Sequence, residues 1–139
     1  MGVQNLKISD NKVIKTFKSN ITYNRELLIY KHNLSYTPKM ISYNDSLKEI
    51  ILEKEPGLTL VQIPMKEREK YYKKSKELYY KFLEDTGYYL YDFHPGNIII
   101  NTTEGESELK LIDFEYIGKD KKIKHRKCIE NFLNKINVF

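Results

Sequence analysis

The stretch from Asp92 to Asp113 constrains the fold of this 139-residue chain more than any other. It reads Asp-Phe-His-Pro-Gly-Asn, then a β-branched run at 97–101, a polar turn at 102–107, and an apolar run at 109–112 that stops on Asp113. Pro95 and Gly96 impose a turn, because proline fixes φ and glycine escapes the usual steric limits on it. Two short strands joined by a turn pair antiparallel, so the start of the first lies beside the end of the second. Asp92, Asn97 and Asp113 are therefore expected at one end of a hairpin. Carboxylate and amide oxygens gathered in this way suit a hard cation such as Mg²⁺, with the remaining positions left to water and phosphate.

The rest of the chain supplies a frame for that hairpin. Residues 5–9 and 12–18 are strand-like and turn at Asp10-Asn11, a pair that tolerates positive φ. A helix is predicted over 21–33 with Asn20 or Thr22 as its cap. Residues 38–43 and 47–54 form a second hairpin through Asn44, Asp45 and Ser46. Pro56-Gly57 then marks a boundary, since proline stops strand pairing and glycine redirects the chain. One long helix is predicted over 65–86, with Tyr72, Ser75, Tyr79, Phe82, Leu83 and Thr86 at helical spacing and Gly87 closing it in the left-handed conformation. A final basic helix is predicted over 119–138, its apolar side formed by Cys128, Ile129, Phe132, Leu133 and Ile136. The fold class is α+β. Residues 1–55 give a small antiparallel sheet with one helix, and residues 56–139 a reduced helical part carrying the hairpin, within a single domain.

Composition narrows the setting. With 40% hydrophobic and 13% aromatic residues, the chain is too apolar for a disordered polyelectrolyte and should bury a core. A single cysteine allows no internal disulfide and no cysteine-held zinc, which suits a reducing compartment. No apolar run approaches the ~20 residues that span a bilayer, so a soluble, cytoplasmic protein without a membrane segment is expected. The net charge of +5 raises a nucleic-acid reading. The lysines are nevertheless dispersed and mixed with glutamate over 66–77, as on a solvated helix face. Only 119–127 is densely basic, and a solvated tail is its default reading beside contact with phosphate or acidic lipid.

Asp92-Phe93-His94-Pro95-Gly96-Asn97 followed by Leu111-Ile112-Asp113-Phe114-Glu115 resembles the catalytic loop and metal-binding loop of the protein-kinase-like superfamily. The wording is more similar to the atypical and small-molecule branch, the aminoglycoside and choline kinase relatives, than to Ser/Thr kinases. The resemblance implies a minimal kinase-like fold that transfers a phosphoryl group from ATP, with Mg²⁺, to a hydroxyl of a protein or small molecule. It also implies roles. Lys15, in Val13-Ile14-Lys15, would neutralise phosphates while fixed by Glu26 of the first helix, and Asn97 and Asp113 would hold Mg²⁺. Asp92 would orient the acceptor hydroxyl and take its proton. Residues 52–57 resemble the hinge between lobes, with the backbone of Glu53 and Glu55 on the adenine edge and Val13, Leu52, Ile99 and Ile112 as apolar walls.

The sequence departs from that pattern in three places. No glycine-rich loop precedes Lys15, little chain follows Asp113 for a substrate-seating lobe, and Leu90-Tyr91 stand where relatives carry His followed by Arg or Gly. Each residue also has a plainer reading. Lys15 has neighbours of equal chemistry in Lys12 and Lys18, Glu26 could be an ordinary helix charge, Asp92 and Asn97 could be turn formers, and His94 reads as a structural loop histidine. The rival function is an inactive kinase-like binding module that regulates a protein partner or pairs with a second copy of itself.

Overall fold

The computed structural model describes residues 3–103 and 105–120. The helix expected over 119–138, with Cys128 and most of the basic run, lies beyond Asp120 and so outside the described residues. The chain divides into two compact units: Met1–Glu55 with Asp113–Tyr116, and Pro56–Ile112 with the residues after Tyr116. None of the described helices is long and apolar enough to cross a membrane.

In the first unit, β1 (Val3–Ile8), β2 (Lys12–Phe17), β3 (Met40–Asn44) and β4 (Glu49–Glu53) form an antiparallel sheet of order β1-β2-β4-β3. Side chains alternate between the faces of a strand, and the register pairs Lys15 with Ile50 and Val13 with Leu52. Lys15, Phe17, Ile50 and Leu52 are buried on that shared face. Helix α1 (Asn20–Lys31) contributes Tyr23, Glu26, Leu27, Ile29 and Tyr30 to the same core. The Tyr23 ring lies edge-on to Phe17 at 5.9 Å. Leu6, opposite Lys15, and Ile8, opposite Val13, continue this face toward the sheet edge and remain exposed.

The cap of α1 is neither Asn20 nor Thr22. Ser19, in extended conformation, accepts the Thr22 N–H on Oγ at 3.2 Å, which satisfies one of the orphan donors of the first turn. The second hairpin turns where expected. Asn44 Oδ1 accepts the Leu47 N–H at 3.1 Å, and the Tyr23 hydroxyl donates to Asp45 Oδ1 at 2.7 Å.

The second unit begins at Pro56. Strand β5 (Leu58–Thr59) pairs with β7 (Ile98–Thr103), which pairs with β8 (Glu106–Leu111); β6 (Tyr89–Leu90) pairs with β9 (Ile117–Gly118). The single helix predicted over 65–86 is instead α2 (Met65–Arg68), a 3₁₀ turn (Glu69–Tyr71) and α3 (Tyr72–Thr86). Between Lys66 and Lys70 every side chain is charged, so no apolar stripe holds a continuous helix there. Arg68 is buried instead, its Nε and Nη2 donating to the carbonyls of Ile63 at 2.8 Å and Val61 at 2.9 Å. Helix α3 buries Ser75, Leu78, Tyr79 and Phe82 and closes at Gly87, whose φ is +76°. The β7–β8 ladder extends to Thr102–Ser107 and Thr103–Glu106, so the turn expected over 102–107 is much shorter, with Gly105 at φ +82°.

Gly57 sits at φ +118°, and a Cβ there would lie 2.1 Å from the Ile100 carbonyl oxygen. Gly57→Ala combines a backbone clash with a disfavoured conformation and should destabilise the fold by about 3 kcal/mol or more. Gly87→Ala, in open space, should cost only about 1–2 kcal/mol. Urea unfolding followed by circular dichroism measures both; equal losses would contradict this account.

Candidate functional site

In the first unit the β2 register places Lys15 against α1, one helix face of which carries Glu26. Lys15 Nζ donates to Glu26 Oε1, and to Asp113 Oδ1 at 2.5 Å. Lys12 and Lys18, the two neighbours of like chemistry, are exposed. Glu26 is wholly buried and Lys15 is 5% exposed, whereas the Asp113 side chain keeps 40% of its surface. The helix therefore presents its acid to the interior and the sheet its amine.

Two groups near the amine received no role from the sequence. Tyr30, one helical turn after Glu26, donates its hydroxyl to the same Oε1 at 2.8 Å, and its ring stands edge-on to Phe114 at 5.5 Å. The i, i+4 spacing from Glu26 is its only sequence signal. Glu115 is half-buried and brings a third carboxylate, such that one oxygen each of Glu26, Asp113 and Glu115 lie within 4.8 Å of one another. Arg25 Nη1 donates to the Glu115 backbone carbonyl at 3.4 Å. Asp113 has φ +67°, a left-handed conformation that aspartate tolerates better than most residues.

Burial alone would strip the proton from Lys15, but Tyr30, Glu26 and Asp113 outweigh it and hold the ammonium well above its ordinary value. Burial pushes the Glu26 carboxyl up, and Lys15 opposes that push. Burial, then repulsion from Glu26 and Asp113, also raises Glu115. Three carboxylates around one amine leave the cluster short of positive charge.

In the second unit, residues 92–97 form a tight loop. The His94 Nδ1 accepts the Gly96 N–H at 3.1 Å, and His94 Nε2 lies 3.7 Å from Asp92 Oδ2. A Cβ on Gly96 would meet the His94 ring at 2.8 Å, so glycine gives the imidazole its place. The Asn97 amide nitrogen donates to the Asp92 carbonyl at 3.0 Å, which leaves the amide oxygen as the atom for a cation. Phe93 is buried edge-on to Tyr79 at 5.2 Å, while Asp92 beside it is exposed. Ile98 pairs with Leu111, and Ile112 donates its N–H to the Asn97 carbonyl at 2.9 Å, so the open end of the hairpin holds Asn97 against Ile112, the residue that precedes Asp113 in the chain.

The remaining expected residues distribute as follows. Leu52 is buried and Val13 half-buried in the first unit; Ile99 and Ile112 are half-buried in the second. Glu53 is exposed and Glu55 half-buried, and the Glu53 N–H already donates to the Lys39 carbonyl at 2.8 Å. Glu53 thus has no backbone donor left for an adenine edge.

No protein-family model matches the chain, and neither does any curated protein. Solved structures do. The Rio2 kinase of Chaetomium thermophilum, in an ADP/Mg²⁺-phosphoaspartate complex, superposes with a TM-score of 0.71 at 14% identity over 98% of this chain and 54% of that one. WbdD with the kinase inhibitor LY294002 gives 0.67 at 17% identity, over 96% of this chain and 37% of that one. A second WbdD structure gives 0.69 at 16% identity with the same coverage, 96% and 37%. The chain has a protein-kinase-like fold, and it spans about half of the Rio2 chain and little more than a third of the WbdD chains.

Lys15→Met would strand the Glu26 carboxylate in the core and should cost about 3–5 kcal/mol in unfolding experiments, most of it recovered by adding Glu26→Leu. A double variant as unstable as the single would refute the ion pair's role. The ammonium's raised value makes its contribution complete below the ordinary lysine value of 10.5 and lost as pH climbs through the folded value. At pH 9 to 10, acetic anhydride should accordingly label Lys15 more slowly than Lys12 or Lys18, as read by peptide mass spectrometry.

Proposed function

We propose that the chain is an ATP- and Mg²⁺-dependent phosphotransferase acting on a hydroxyl of a protein or small molecule. The observation that carries this reading is the buried Lys15–Glu26 pair, with Asp113 on the same amine, in a protein-kinase-like fold. A buried ammonium held by one wholly buried acid and one partly exposed acid is suited to neutralising phosphate charge. The ADP and Mg²⁺ of the Rio2 complex support the same choice of nucleotide and metal.

The donor set fits a hard cation: the Asp113 carboxylate and the Asn97 amide oxygen would hold Mg²⁺, which supplies charge neutralisation at the phosphates. ATP supplies the phosphoryl group, whose bond to the β-phosphate oxygen breaks as a bond to the acceptor oxygen forms, with ADP leaving. Lys15, steadied by Glu26, balances phosphate charge. Asp92 is the exposed carboxylate of its loop, orients the acceptor hydroxyl and takes its proton. Val13 and Leu52, with Ile99 and Ile112, provide apolar surface for the base, and Leu6 and Ile8 extend the Val13 face. On the hinge segment, Glu55 is the residue whose backbone meets the adenine edge, together with the Glu53 carbonyl. The single cysteine is in keeping with a reducing cytoplasm.

One feature favours the rival reading, a kinase-like module that binds a protein partner or a second copy without transferring phosphate. The first hairpin turns at Asp10-Asn11, so the glycine-rich backbone that would fold over phosphates is replaced by two side-chain-bearing residues. Calorimetric titration with MgATP decides between them. Binding that is lost in Asp113→Asn supports the enzyme, and the absence of binding at millimolar nucleotide supports the module. With transfer detected by radiolabelled phosphate, Asp92→Ala should lower the rate ~10²- to 10⁴-fold while leaving nucleotide affinity nearly unchanged.

A further inference from the structure

His94 has a fixed ring in the loop that carries Asp92, and the reaction as proposed gives it no part. Its neighbours Phe93 and Pro95 are buried, its carbonyl accepts the Asn97 N–H at 2.9 Å, and its Nδ1 accepts the Gly96 N–H at 3.1 Å. The residue is thus held at both its backbone and its ring. A backbone N–H can only donate, so Nδ1 is the accepting nitrogen and the hydrogen of the ring is on Nε2. Nε2 is also the nitrogen that faces Asp92, 3.7 Å from Oδ2. The loop therefore turns an N–H toward the exposed carboxylate that it carries.

A histidine that only caps the turn needs none of this. Asparagine in its place would offer an oxygen to the Gly96 N–H and close the 3₁₀ turn (Pro95–Asn97) as well. What asparagine lacks is a second nitrogen on the far side of a ring. Gly96 is fitted to that ring: a Cβ there would lie 2.8 Å from His94 Cε1 and 3.0 Å from Nδ1, with Val61 Cγ1 next at 4.0 Å. The φ of Gly96 lies outside the left-handed region, so it is the imidazole and not the backbone that excludes a side chain. We propose that His94 is a positioning residue for Asp92: its Nε2–H, aimed by the Gly96 N–H, closes to a hydrogen bond on Oδ2 as the acceptor is seated, leaving Oδ1 to take the hydroxyl proton. Contacts of this kind tighten when substrate binds, and the exposed Asp92 side chain has room to turn. The aim of the ring is a property of the second unit; its use in transfer rests on the phosphotransferase reading.

The test uses the full chain. Without nucleotide, in mildly alkaline buffer, long-range proton–nitrogen correlation spectra should show His94 as the Nε2–H tautomer, and Asp92→Asn should shift that nitrogen's resonance because the charge beside it is gone. The opposite tautomer, or a resonance that ignores Asp92, overturns the proposal. With radiolabelled MgATP, His94→Asn keeps the cap and should lower kcat about tenfold with the KM for MgATP unchanged. Gly96→Ala should lower kcat as far by displacing the ring, and should add no loss in a His94→Ala background, where there is no ring to displace. A side chain that only caps the turn predicts the reverse: full activity in His94→Asn, and a Gly96→Ala loss that is the same with and without the imidazole. Either result overturns the proposal. The expected spectra in a chain that transfers no radiolabel uphold the aim of the ring and overturn the phosphotransferase reading alone.

Discussion

The first unit depends on keeping one ammonium out of water. Lys15 sits where a strand of this sheet would ordinarily place a hydrophobic residue, between Val13 and Phe17 on the face covered by α1. An unpaired charge there would cost several kcal/mol, more than the burial of any single neighbouring side chain returns. The cost is met only if α1 is set so that Glu26 points inward and if Asp113 reaches the same amine. Register, helix placement and the path of residues 113–116 are consequences of one charge balance. A one-residue slip of β2 would turn Lys15 to the other face and leave Glu26 in the core without its cation.

The second unit meets a different constraint, which is to hold an exposed carboxylate on a rigid backbone. Asp92 lies between half-buried Tyr91 and buried Phe93, and its own carbonyl is occupied by the Asn97 amide. Pro95, the His94–Gly96 contact and the Ile112–Asn97 backbone bond remove the remaining freedom of the loop. Loop residues that are pinned in this way can be positioned as well as residues of a strand. The buried Arg68 plays a comparable part upstream, satisfying the Val61 and Ile63 carbonyls that no strand partner reaches.

Much of this was legible in the sequence because it depends on local rules. The hairpins at Asp10-Asn11 and Asn44–Ser46, the left-handed close at Gly87 and the strand pair after Asn97 all follow from turn chemistry and side-chain alternation. What was missed depends on tertiary contacts. Ser19 outcompetes Asn20 as cap because Ser19 has the extended backbone that presents Oγ to the Thr22 N–H. The break at Glu69–Tyr71 had one legible cause, the all-charged run from Lys66 to Lys70, and one that periodicity does not encode, Arg68 folding back to carbonyls several residues earlier. Lys15 could not be told from Lys12 and Lys18 until the register put one of the three inside. Tyr30 and Glu115 offered only weak signals, an i, i+4 spacing from Glu26 and a place two residues after Asp113, and it is their side-chain directions that bring them to the cluster.

The path of the chain carries one more consequence. The four residues Asp113–Tyr116 belong with Met1–Glu55, although the intervening stretch Pro56–Ile112 forms a compact body of its own. On a ribosome the first 55 residues emerge with β1 to β4 and α1 but without Phe114, which is 1% exposed in the finished structure, and without the second acid on Lys15. The sheet and helix must therefore wait, incompletely neutralised and with an open hydrophobic slot, until some sixty further residues have been synthesised. Closure of the nascent amino-terminal part is thereby made contingent on translation having passed the whole loop that bears Asp92 and Asn97.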